Sequence, residues 1–226
     1  MFINLTLVLS LFLSSGAELE IAGDFVAAGH AYYEDIDFSG EARILSRFLE
    51  EALYSGNSVH AFDLLMQLEQ FVFEPSFFDF WYARLSWSCG MPEYACAALD
   101  SVQGSRWLES RAKGLAAQLR GNGQAAATHF KLSLEQAESV RQRFYSALDL
   151  SFALIQTGRY EEAEDIAVFL AVNFPGEGLP LISLALTFQE QERFGEAMSI
   201  LQSLYSGDEF TAISKHFAAA LLEDLE

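Results

Sequence analysis

Five alanines, Ala61, Ala95, Ala126, Ala163 and Ala197, recur along this chain at spacings of 34, 31, 37 and 34 residues. Each stands five positions after a turn residue: Gly56, Gly90, Gly121, Gly158 and, in the last copy, Glu192. A helical period near 34 is the signature of a solenoid whose repeating unit is a pair of antiparallel helices. Such a pair approaches closely only where a small side chain sits at the crossing. Its turn needs a helix end that enters the left-handed backbone region, which glycine does without steric cost. Apolar residues fall at helical spacing, as in Leu108, Ala112, Leu115 and Leu119, and strand patterns are nearly absent. The fold class is therefore all-α, an α-solenoid of antiparallel helix pairs.

The clearest copy reads Gly158, Tyr160, Glu161, Glu162, Ala163, then Leu170, Phe174 and Pro175. This pattern resembles the tetratricopeptide repeat: a glycine, an aromatic residue two positions on, Glu-Glu-Ala, and a helix-ending proline twelve residues after the alanine. The next copy keeps the 34-residue register, with Tyr160 becoming Phe194, Glu162 becoming Glu196, Leu150 becoming Leu184 and Leu154 becoming Phe188. It replaces the glycine by Glu192 and the proline by Glu209. The copies at Gly56 and Gly90 keep glycine and alanine, with Pro92 suited to a first helical turn. The copy at Gly121 is shifted by three residues and has Lys113 where an apolar residue is usual, which points to a lengthened helix or altered loop near 104–123. The resemblance covers residues 20–225, most firmly 140–205. It implies a right-handed solenoid that binds proteins or peptides on its inner helices.

Hydrophobic residues make up 51% of the 226-residue chain, enough for a continuous core. Four prolines and no Ser/Gly-rich linker give a single domain over 18–226. The net charge is −19, from 32 acidic and 13 basic residues. Such a surface repels nucleic-acid phosphate and anionic membranes, and no Lys/Arg cluster reverses it. An acidic surface also suits a basic partner, although solubility alone accounts for it.

Residues 1–17 are apolar for about a dozen positions and end in Ser15, Gly16 and Ala17. The stretch is short for a membrane span, which takes ~20 apolar residues. It reads as a cleaved signal peptide, with a secreted or periplasmic product that has no strong membrane association once the signal is removed. Its departure from the pattern is the missing basic n-region, so an uncleaved N-terminal anchor and a buried helix stay as alternatives. Gly23 to Ala28 then reads as the turn and second helix of a leading partial repeat. At the other end, residues 209–225 set Phe210, Ile213, Phe217, Ala220 and Leu221 against Lys215, His216, Glu223 and Asp224, as a capping helix requires. Cys89 and Cys96 flank the Gly90 turn; a disulfide and two small thiols are both open, the thiols being favoured.

Catalytic constellations are missing. His30, His60, His129 and His216 stand in no metal-binding spacing, and two cysteines without a second ligand pair make no zinc site. The run Glu161, Glu162, Glu164, Asp165 lies around a helix start, where it suits the helix dipole. Gly121, Gly123 and Ala126 match the dinucleotide fingerprint formally, but a helix and not a strand precedes them. No cofactor, metal or catalytic residue is expected.

What remains is a surface for partners. On the helix from 139 to 156, Ala147, Leu150, Ser151 and Leu154 form a core stripe, while Tyr145, Leu148, Phe152 and Ile155 form a second apolar stripe. The second repeats 34 residues later as Leu179, Ile182 and Leu186. A helix apolar nearly all round is covered on both sides. These seven residues are the candidate partner-binding groove. Phe77, Phe80 and Trp87 head a second candidate, an aromatic patch in the crowded run 77–87, where packing within the core accounts for the rings equally well. Inner-helix positions that carry Lys, Asn and Arg in carboxylate-clamp members of the family are mostly apolar here, with Arg84 and Arg111 the basic exceptions. The expectation is a non-enzymatic protein–protein interaction scaffold of the periplasm or cell envelope, taking a hydrophobic or amphipathic segment. The alternative is a homo-oligomeric structural component whose groove is filled by neighbouring subunits.

Overall fold

The computed structural model describes residues 75–207, Phe210 and Ala212–Leu225, with Val59, Phe62, Leu65 and Met66 in addition. The expected signal peptide, leading partial repeat and most of the first helix pair lie outside these residues. Among the described residues there are nine helices and no strand. They are α1 (Pro75–Ser88), α2 (Pro92–Ser101), α3 (Arg106–Leu119), α4 (Gly123–Gln136), α5 (Val140–Gln156), α6 (Tyr160–Asn173), α7 (Leu179–Glu190), α8 (Phe194–Ser206) and α9 (Ala212–Leu225). The chain divides into two compact units, Met1–Ala95 and Cys96–Glu226, the division falling inside α2.

The turn residues behave as their spacing predicts. Gly90, Gly121 and Gly158 have φ of 75°, 74° and 73°, and Glu192 takes the same left-handed conformation at 61°. At each of the four turns one long-range amide closes the preceding helix. Met91 donates to the Ser86 carbonyl (2.8 Å), Asn122 to Ala117 (2.9 Å), Arg159 to Leu154 (2.9 Å) and Arg193 to Phe188 (2.8 Å). This is the Schellman closure, which satisfies carbonyls that a helix end otherwise leaves open. The turns are thus in one register. The unequal spacings arise from unequal helices, and α3 is not the lengthened helix expected near 104–123; the loop before it holds Gly104 at φ 151°. Helix α2 has only 10 residues and α5 has 17, while α3 and α4 have 14 each. Lys113 is accommodated simply by being exposed.

In the unit Cys96–Glu226, consecutive helices pack pairwise from α3 to α9. Alternate helices also touch, α3 with α5, α5 with α7, and α7 with α9. Those four therefore form one layer, the inner helices, backed by α4, α6 and α8. The signature alanines Ala126, Ala163 and Ala197 are fully buried at the crossings. Gly114 serves the same end on α3: a Cβ there would meet the ring of the fully buried Phe130 at 2.5 Å. On α5 the predicted core stripe is buried throughout, with Ala147, Leu150, Ser151 and Leu154 at most 8% exposed.

Polar groups inside this unit are paired. Trp107 Nε1 donates to Ser146 Oγ (2.8 Å), and Ser133 Oγ donates to the same oxygen (2.7 Å), so one hydroxyl ties α5 to both α3 and α4. Ser151 and Ser183 share a short hydrogen bond between α5 and α7. Each pairing avoids the cost of a buried unsatisfied hydroxyl, about 1–3 kcal/mol.

A candidate partner-binding face on the inner helices

Helix α5 is placed by a capping box: Ser139 Oγ accepts from Gln142 N (3.1 Å), and Gln142 Oε1 accepts from Ser139 N (3.1 Å). From that start, Tyr145, Phe152 and Ile155 come out half-buried on the inner layer, as do Leu179 and Leu186 on α7. Leu148 and Ile182, the middle members of the two stripes, are only 4% and 5% exposed. Leu148 packs with Phe144, Ala147 and Leu170, and Ile182 with the cluster around Ala185 and Leu201. These two back the face from the core; its surface consists of the five half-buried residues.

Two residues the sequence pointed to only as basic exceptions, or not at all, shape one end of this face. Arg111 on α3 is nearly buried and donates from Nε to Asp149 Oδ2 on α5 at 2.5 Å; the two side chains are 10% and 16% exposed. Its guanidinium lies 5.0 Å from the centre of the Tyr145 ring and 5.7 Å from that of Trp107. A planar cation stacked on aromatic rings and bonded to a carboxylate is a rigid arrangement. Tyr145 is therefore held, and Arg111 is committed within the protein and unsuited to grip a ligand carboxylate. Asp149 and Trp107 were missed because their partners lie 38 and 39 residues away, a distance that matches no repeat spacing in the sequence.

The aromatic patch belongs to the unit Met1–Ala95. Phe80 is 6% exposed and meets Trp81 edge-on at 6.1 Å, so it is core. Tyr82 stacks with Phe78 (5.9 Å) and lies 5.1 Å from Phe62. Trp87 is 47% exposed and stands as the patch's open member, while the Phe77 side chain lies outside the described residues. Arg84 sits 5.0 Å over the Trp81 ring.

Among the described residues, no group of three or more His, Cys, Asp or Glu is placed to hold a metal ion. No helix there is long and apolar enough to cross a membrane. Cys89 and Cys96 are half-buried thiols.

Known proteins match this chain through structure. It is similar to a chain of the APC/C hetero-tetramer Cut9–Hcn1, with TM-score 0.58, 17% identity, and coverage of 93% of this chain and 41% of that one. It is also similar to a tetratricopeptide repeat protein from Parabacteroides merdae, with TM-score 0.53, 16% identity, and coverage of 93% and 86%. No protein-family model and no curated protein matches the sequence. The fold is that of a tetratricopeptide-type solenoid.

Proposed function

We propose that this protein is a non-enzymatic protein–protein interaction scaffold that takes a hydrophobic or amphipathic segment on the inner helices. The observation that carries the reading is the row of half-buried apolar side chains Tyr145, Phe152, Ile155, Leu179 and Leu186 on adjacent inner helices, backed by Leu148 and Ile182. Rigid aromatic and aliphatic anchors on a helical layer are what a helix-in-groove mode uses. We assign the protein to the periplasm or cell envelope, on the apolar N-terminal stretch that ends in Ser15, Gly16 and Ala17.

The test is affinity capture from the native envelope fraction with the chain and with its Phe152→Glu and Leu186→Gln variants, each checked for helicity by circular dichroism. A distinct protein retained by the parent and lost with both helical variants supports the scaffold. Unchanged capture by both variants rejects this face.

One observation favours self-association through a surface other than the groove. Val168, Phe169 and Val172 on α6 are 43%, 61% and 74% exposed, a contiguous apolar surface away from the inner helices. A mass in light scattering that rises with concentration and falls back with Phe169→Ser would support it.

A further inference from the structure

The apolar stripe of α7 runs into a free carboxylate, and the last turn of α9 carries two more. Leu186 is followed one turn later by Glu190 on the same face of α7; the equivalent pair on α9 is Ala220 and Asp224, both exposed, which moves Ala220 off the apolar face expected of the capping helix. Glu190 and Asp224 are 34 residues apart, hence in equivalent positions of successive inner helices. Glu190, Glu223 and Asp224 are all exposed. Among the described residues no ion pair involves any of the three.

The cations nearest in the fold are already used. Arg193 donates to Glu196 (2.7 Å) and Glu164 (2.9 Å) and lies 3.8 Å over the Phe188 ring. Arg159 donates to Glu162 through Nε (2.7 Å) and Nη2 (2.6 Å). Exposed Glu161, Asp165 and Glu192 add further negative charge at this end of the helices. Arg143 in the first turn of α5 and Lys215 in the first turn of α9 stand at the other end of their helices, and on α3 Lys113 is mid-helix while the C-cap Arg120 is bonded to Asp100.

None of this serves helix stability. A carboxylate in a helix's last turn opposes the dipole, and α5, α7 and α9 have no basic residue there. The unpaired carboxylates add to the partial negative charge of the helix C-termini, along one edge of an apolar floor. That charge lies open to an incoming ligand, and the −19 net charge of the whole chain would steer a cation toward it.

We propose that the partner segment is a cationic amphipathic helix: its apolar side lies on Phe152, Ile155 and Leu186, and its Lys or Arg side chains meet Glu190, Glu223 and Asp224. This rests on the inner-helix binding reading above and adds the partner's charge and placement. A basic helix gains from these carboxylates what a neutral helix of equal apolar face does not, and an acidic one is repelled.

The experiment uses the purified full chain and three synthetic helices of about 18 residues, which share one leucine face and carry Lys, Gln or Glu on the other. Binding is read by fluorescence anisotropy. The Lys helix is expected to bind about tenfold more tightly than the Gln helix at low salt, with the gap closing as salt rises. The Glu helix should be weakest. Glu190→Lys combined with Asp224→Lys alters two exposed helix-end positions in the direction the dipole favours, so folding is preserved. This variant should remove most of the Lys helix's advantage over the Gln helix. Equal binding of all three helices by the parent would overturn the charge proposal and leave the apolar face standing. No binding of the Gln helix would sink the apolar face itself. A Lys preference unmoved by the double substitution would mean diffuse attraction to an acidic protein, and that too overturns the proposal.

Discussion

Helix α5 begins on the Ser139–Gln142 capping box and ends on Gly158. Helix α7, its successor on the inner layer, begins on Gly178 with no side-chain cap and ends on Glu192. Both nevertheless close on the same Schellman hydrogen bond and bury the same alanine crossing. The local signals differ and the geometry does not. In α7, seven of twelve residues are buried and no charge appears before Glu190, so packing from α5, α6, α8 and α9 holds it in place. The strain of a non-glycine residue at φ 61° is carried because that packing leaves the turn no alternative. A repeat can therefore shed its caps once its neighbours supply enough burial.

Truncation in the core should separate the two pairs most. Leu154 and Phe188 hold the same register position, 2% and 8% exposed. Leu154→Ala should cost about 3 kcal/mol and Phe188→Ala about 4 kcal/mol in urea denaturation. The larger loss falls on α7 because Phe188 also carries the Arg193 guanidinium on its ring. Equal losses would show that α7 leans on its packing no more than α5 does.

A smaller, opposite pair of effects is expected at the turns. Gly158→Ala meets no atom within 4 Å, so its cost is backbone alone, about 1 kcal/mol. Glu192→Gly should stabilise by roughly 0.5–1 kcal/mol, less than the strain it relieves, because glycine also loosens the unfolded chain. Thermal unfolding midpoints would read both, and a destabilised Glu192→Gly would mean that the turn at Glu192 is not strained.

The smallest effect is one the two pairs share. Hydrogen bonds from Arg159 and Arg193 hold the Glu162 and Glu196 carboxyls below the ordinary glutamate pKa. Stability from a lowered carboxyl is fully present above the ordinary value and is lost as pH falls through the lower, folded one. The double variant Glu162→Gln with Glu196→Gln should unfold slightly earlier than the parent at neutral pH, and the gap should close in acid as pH falls through the lowered, folded values. Both groups are exposed, so the gap is small; a gap that persists in acid would assign these glutamates a different role.

The sequence reading succeeded where the physics is local. The left-handed turns announced themselves as Gly90, Gly121 and Gly158, and the core stripe of α5 followed from periodicity alone. Glu192 was recoverable only by register, since nothing about a glutamate suggests φ above zero. The lengthened helix was placed wrongly, at 104–123 instead of in α5, because spacing between turns says how many residues intervene and not which helix holds them. The Arg111–Asp149 pair and the Ser133–Ser146–Trp107 chain were invisible because polar residues on separate helices are matched only after packing brings them together. The two core positions within the proposed stripe, Leu148 and Ile182, share the apolar character of their neighbours, so composition could not separate backing from surface.

Because the main packing of the helices from α3 to α9 is against elements one or two places away along the chain, the rings closed in forming it are short. Closure entropy grows with loop length, and rates fall as contacts become less local. A chain leaving the ribosome can therefore seat α3 on α4 before α7 has been made, and each later helix docks onto a surface already formed. Growth by accretion leaves one apolar face open at every stage until the next helix arrives. How long each such face waits is set by the pace of synthesis and not by a search through the whole chain.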